Sequence, residues 1–123
     1  MNKNKFTKQL REVANVIEPL THDIYKGASV WNGVEYAKSE VDEKPHPYAL
    51  MWWSKLMTLA DFIDAQDSPL SRDQMNYLQH CLFGGIGSLN DLCFSTQAVG
   101  EVAHFVNKNL DKKREELYND FKD

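Results

Sequence analysis

Apolar residues recur at spacings of three and four in one segment after another, and that period favours amphipathic helices over strands. Phe6, Leu10, Val13, Ala14 and Ile17 predict a first helix over residues 4–17, with Pro19 biasing Glu18 out of helical geometry and marking the end. Trp52, Leu56, Leu59 and Ile63 predict a second over 47–66. Pro47 is tolerated in its first turn, and Asp67-Ser68-Pro69 stops it. Ser71-Arg72-Asp73-Gln74 is a capping-box pattern opening a helix that carries Met75, Leu78, Cys81 and Leu82 on one face. Gly84 suits its C-cap, where a positive φ is often needed. Ser88 reads as the N-cap of a short helix with Asp91 in third position. Val99, Val102, Ala103, Val106, Leu110, Leu117 and Phe121 predict a last helix over 97–121, with Thr96 as its cap. The mixed-charge run Asp111–Glu116 reads as its solvated face.

Residues 21–45 carry two readings. Ile24, Ala28 and Trp31 can share a helical face. Val30-Trp31-Asn32-Gly33-Val34 can equally form a tight hairpin, because Asn-Gly suits a type I′ turn. A helix ending at Asn32-Gly33 is favoured, in keeping with the rest of the chain. Lys38 to Pro47, polar and acidic with two prolines, reads as a surface loop. The expected fold is all-α: a single helical domain over residues 1–123 with about four to six helices. A chain of 123 residues buries roughly two-thirds of its unfolded surface and needs no disulfide or metal staple.

The net charge of -4, from 14 basic and 18 acidic residues, argues against a general nucleic-acid binder and suits a basic partner. Cys81 and Cys93 do not form a C-x-x-C pair and sit among apolar residues, so both read as free and buried, in keeping with a reducing cytoplasm. The basic start Met1–Lys5 is not followed by an apolar signal core, and no stretch approaches the ~20 apolar residues of a membrane span. A cytoplasmic protein is expected, with no membrane partner.

Four constellations carry residues of chemical interest. Glu101-Val102-Ala103-His104 has the E-x-x-H spacing of di-iron bundles, but such sites need two of these motifs and two further glutamates. The second match, Glu43-Lys44-Pro45-His46, contains a proline, so no metal is expected. His80 and Cys81 are adjacent and point about 100° apart on a helix, which makes a buried cysteine the better reading than a nucleophile. Gly84-Gly85-Ile86-Gly87-Ser88 precedes a helix start that can hold an anion, yet the P-loop pattern and its lysine are missing. A glycine-rich helix junction is expected there, and no cofactor. Trp53, Met57, Asp61 and Asp64 lie together beside the main stripe of the second helix. They form a candidate partner-binding face, because Trp is a frequent hot-spot residue; the alternative is that Trp53 belongs to the core. Asp61 and Asp64 lie off the apolar stripe, so reversing both to lysine is expected to leave the fold intact.

The string Gly84-Gly85-Ile86-Gly87-Ser88-Leu89-Asn90-Asp91-Leu92 matches every position of a Gly-Gly-apolar-Gly-Ser-apolar-Asn-Asp-apolar motif. With the Trp-led helix before it, residues 52–94 resemble a family of small bacterial helical proteins bearing that motif. Proteins of this size and look occur among immunity proteins of toxin systems, including contact-dependent growth inhibition. The resemblance implies an inhibitor that binds a cognate toxin, with a nuclease as one such toxin. It implies no catalytic residue, and a structural role is expected for Gly84, Gly85, Gly87, Ser88, Asn90 and Asp91. Two alternatives stand beside it: a small enzyme using His22, Asp23, His80 or His104, and a helical adaptor or dimerisation subunit.

Overall fold

The computed structural model describes residues 1–21, 29–31, 34–38, 47–94 and 96–123. His22, Asp23, Ile24, Ala28, Asn32, Gly33, the acidic stretch Glu40–Glu43 and His46 lie outside them, as do the side chains of Trp31, Val99, Glu101 and Val102. Among the described residues there are four α-helices and one small hairpin. The fold is all-α.

Helix α1 spans Lys3–Ile17, and the Asn2 side chain accepts the Lys5 N–H at its start. Its five predicted stripe residues are fully buried, joined by Thr7. The helix ends at Ile17 as expected, but Glu18 keeps helical angles (φ -49, ψ -42). Pro19 removes one N–H without expelling its neighbour, and the chain tightens into a 3-10 turn over Glu18–Thr21.

The favoured helix is not formed at Ser29–Trp31. That strand, β1, pairs antiparallel with β2, Tyr36–Lys38, in the register Ser29↔Lys38, Val30↔Ala37, Trp31↔Tyr36. Two strands therefore pair here as the alternative reading has it, but Trp31 is opposite Tyr36 and not Val34, so the tight two-residue type I′ hairpin is not the one formed. β-branched and aromatic residues such as Val30, Trp31 and Tyr36 favour extended backbone once paired.

Helix α2 spans Pro47–Asp64, two residues short of the expected end, and closes with the Gln66 N–H bound to the Ile63 carbonyl. Ala49, Trp52, Leu56, Ala60 and Ile63 are buried, and Leu59 is half-buried. Helix α3 spans Arg72–Phe83 behind a complete capping box: the Ser71 hydroxyl accepts the Gln74 N–H at 3.1 Å, and the Gln74 side chain accepts the Ser71 N–H at 2.8 Å. Helix α4 spans Thr96–Lys122, so Thr96 is its first residue and not its cap.

The core forms where α1 packs between α2 and α4. Phe6 of α1 meets Phe121 of α4 at 5.8 Å between ring centroids, and Phe83 at the end of α3 meets Phe121 at 5.0 Å and Tyr118 at 5.1 Å. Cys81 is half-buried, whereas Cys93 is exposed, contrary to the expectation of two buried thiols. The run Asp111–Glu116 is not merely a solvated face. The Lys113 ammonium donates to Glu12 of α1 at 3.0 Å and to Glu116 at 3.1 Å. The Arg114 side chain, only 13% exposed, pairs with Asp111 and donates to the carbonyls of Leu89, Asn90 and Leu92.

Those three carbonyls belong to the glycine-rich junction, whose geometry differs in detail from the expected one. Gly84 is extended (φ -74, ψ -158), and it is Gly87 that takes the positive φ, at 85°. Gly84 is still demanded, because a Cβ there would stand 2.5 Å from the His80 carbonyl oxygen. Ser88 is buried, and its hydroxyl donates back to the Gly84 carbonyl at 2.9 Å instead of capping the following turn. That turn is a single 3-10 turn, Leu89–Asp91. The Asp91 carboxylate accepts the Gly87 N–H at 3.1 Å, and Asn90 contributes its backbone carbonyl to Arg114.

The three glycines should therefore rank by mechanism. Gly87→Ala should cost about 1–2 kcal/mol for a left-handed alanine. Gly84→Ala should cost at least as much, since the clash is with backbone. Gly85→Ala should be neutral, because nothing lies near its added Cβ. Urea denaturation of the three variants checks the order, and a Gly85 variant as weak as the other two would refute it.

Candidate protein-binding edge

Helix α2 has two flanks, and they differ in character. Asp61 and Asp64 project from the flank that faces α1, and Trp53 and Met57 precede them along the same side of the helix. Trp53 and Met57 are half-buried and pack against the core. Trp53 thus supports the core while keeping a solvent-facing portion.

The structure brings the two carboxylates together on Arg11 of α1. The guanidinium reaches Asp61 at 2.9 Å and Asp64 at 2.7 Å, and Asp64 also accepts the Thr7 hydroxyl at 2.8 Å. The Thr7 hydrogen bond, followed by that from Arg11, holds the Asp64 carboxyl below its ordinary value of 3.8. Hydrogen bonding to Asp61 and then Asp64 raises Arg11 further within its always-charged range. At the far end of the edge, the Lys3 ammonium donates to the carbonyls of Gln66 and Ser68, fixing the start of α1 to the segment after α2. Between the helices lies a shallow polar hollow of about 500 Å³ lined by Asn4, Thr7, Lys8, Arg11, Glu12, Asn15 and Asp64.

Sequence reasoning found both carboxylates but missed Arg11 and Thr7. The missing signal was across helices: 7, 11 and 61, 64 are each ordinary helix spacings, and only the packing of α1 on α2 brings them together. One expectation changes as a result. Reversing both Asp61 and Asp64 to lysine would set two cations against Arg11 and strip Thr7 of its acceptor, so the fold is not indifferent to it.

The other flank of α2 was not foreseen as a surface. Thr58 and Phe62 of α2, Leu70, and Asp73, Gln74 and Tyr77 of α3 border an apolar groove of about 390 Å³ floored by Leu59, Ile63 and Leu78. Phe62 and Tyr77 remain 55% and 56% exposed at its rim. The signal available was Phe62 itself, an aromatic residue off the apolar stripe.

His80 and His104 are both exposed, on α3 and α4 respectively. Among the described residues no three His, Cys, Asp or Glu side chains are grouped as metal ligands, and no helix is long and apolar enough to cross a membrane. The α1–α2 edge combines paired charges with partly exposed apolar side chains. The chain matches no family model, no curated protein and no solved structure.

The depressed carboxyl makes a signed prediction. A carboxylate stabilised in the folded state contributes fully above its unfolded value and loses that contribution as pH falls through the folded one. The stability lost in Asp64→Asn should therefore be largest near neutrality and shrink below about pH 4. Urea midpoints of both proteins across that range measure it, and a difference that grows in acid would contradict the assignment. The double lysine reversal should lower Tm at neutral pH.

Proposed function

We propose that this protein is an immunity protein that neutralises a cognate bacterial toxin by direct contact, acting stoichiometrically and without cofactor. The Gly84–Leu92 motif and its resemblance motivate the reading, and the α1–α2 edge supplies its physical content. The observation that carries it is the pre-set acidic group: Asp61 and Asp64 are fixed by Arg11 and Thr7 beside Trp53 and Met57. Side chains already held in place lose little freedom on binding, so more of the contact energy appears as affinity. Asp61 is 72% exposed at its side chain and keeps its charge presented to solvent while paired. With a net charge of -4, the chain favours encounter with a basic domain, such as a nuclease must present to its substrate. In this reading the toxin meets Asp61 at the rim and Trp53 and Met57 nearer the centre, in the cytoplasm.

The test is co-expression with the candidate toxin, followed by pull-down and binding kinetics. Asp61→Lys alone is the cleaner charge variant, since Asp64 and Thr7 remain engaged. It should slow association and weaken its salt dependence. Trp53→Ala should speed dissociation, with a cost of ~2 kcal/mol or more if it anchors the interface, and is read only where its Tm stays near the parent's. Full protection and unchanged kinetics in both folded variants would remove this edge from the interface.

A further inference from the structure

We propose that α3 is a separately opening unit of the fold, which undocks and melts while α1, α2 and α4 stay packed. The helix is anchored at one end. Leu78, Leu82 and Phe83, all in its second half, are buried, and the Phe83 ring meets Tyr118 and Phe121 of α4. In its first half, Arg72–Tyr77, no residue is fully buried, and the apolar groove lies between that half and α2.

Polar ties between helices bypass α3. Among the described residues no side-chain hydrogen bond or ion pair joins it to another helix, and its capping box bonds only Ser71 to Gln74. The cross-helix bonds instead hold the chain before and after it. Lys3 of α1 donates to the carbonyls of Gln66 and Ser68, and Arg114 of α4 donates to those of Leu89, Asn90 and Leu92. Between these two pins α3 is attached by apolar burial alone. Gly85 supplies freedom for the movement at the C-terminal side, because neither a positive φ nor a close neighbour constrains it.

Undocking and melting are one event. The helix has 12 residues, and an isolated helix shorter than about 12–15 residues is marginal in water. Once Leu78, Leu82 and Phe83 leave the core, little keeps it helical. Unfolding the whole chain must in addition expose the stripe of α1 and separate Arg11 from Asp61 and Asp64 and Lys113 from Glu12. The opening of α3 therefore lies below global unfolding in free energy. It uncovers Leu59 and Ile63, the floor of the groove on α2. Neither the toxin nor the α1–α2 edge enters this inference, so the two stand or fall separately.

Hydrogen exchange of the purified full chain, followed by mass spectrometry in rising urea below the unfolding midpoint, tests it. The amides of α3 should be protected at least tenfold less than the best-protected amides of α1 and α4. Their exchange should also depend less on urea, since a local opening exposes less surface. Val13→Ala separates the two openings, because Val13 is buried on α1 and stays covered when α3 opens alone. It should speed exchange in α1 and α4 about tenfold and leave the α3 rates unchanged. If that variant does not fold, Ile17→Val repeats the comparison with a smaller deletion. Protection in α3 equal to that in α1 would overturn the proposal, as would an α3 rate that rises in step with α1 in the folded variant.

Discussion

The burial of one face of α1 is the constraint on which the rest of the structure depends. Phe6, Leu10, Val13, Ala14 and Ile17 are all completely removed from solvent, and large apolar side chains of this kind contribute roughly 1.5–3 kcal/mol each when buried. That stripe must be covered from two sides. Helix α2 supplies Leu56 and Ala60 to the core, and α4 supplies Val106, Leu110 and Leu117.

Around that core, polar groups fix the orientation of the helices. Arg11 joins α1 to α2 through two carboxylates, and Lys113 joins α4 to α1 through Glu12. On the α1–α4 seam the paired positions run in opposite directions, Lys5 with Asp120 and Glu12 with Lys113, as antiparallel packing requires. Partly exposed pairs of this kind add modestly to stability. Their clearer effect is on register, because sliding a helix by one turn would separate every pair at once. Arg114 does for the glycine-rich junction what the ion pairs do for the helices: it ties the short turn after the glycines to a long helix.

Much of this was legible before any coordinates, and the misses share a cause. Helical period named the buried face of α1 residue by residue, and the Ser71–Gln74 box was found from four letters, because both signals are local. Gly84 was expected to need a positive φ, but Gly87 takes it, and Gly84 is demanded by the nearby His80 carbonyl instead. A glycine can be demanded by a positive φ or by a close neighbour, and sequence does not distinguish the two. The hairpin at Ser29–Trp31 lost to helical context, a preference drawn from the rest of the chain and not from Val30 and Trp31 themselves. At the candidate edge, Asp61 and Asp64 were visible as a pair on one helix. Arg11 was not, since it belongs to a different stripe on a different helix. Arg114 was hidden inside a charged run that composition alone labels as solvent-facing.

The distance along the chain between α1 and its partner α4 has a consequence for how the protein comes into being. Glu12 and Lys113 are 101 residues apart, yet they close the same seam. At a synthesis rate of about 5–20 residues per second, the first helix waits some 5–20 s for the last to be made. During that interval α2 can cover one side of its apolar face, while the side reserved for Leu110, Leu117 and Phe121 stays open to water. The nascent chain therefore passes through a stage in which the buried stripe of α1 is half-clothed. That is the stage at which a chaperone would bind it, or at which two growing chains would aggregate.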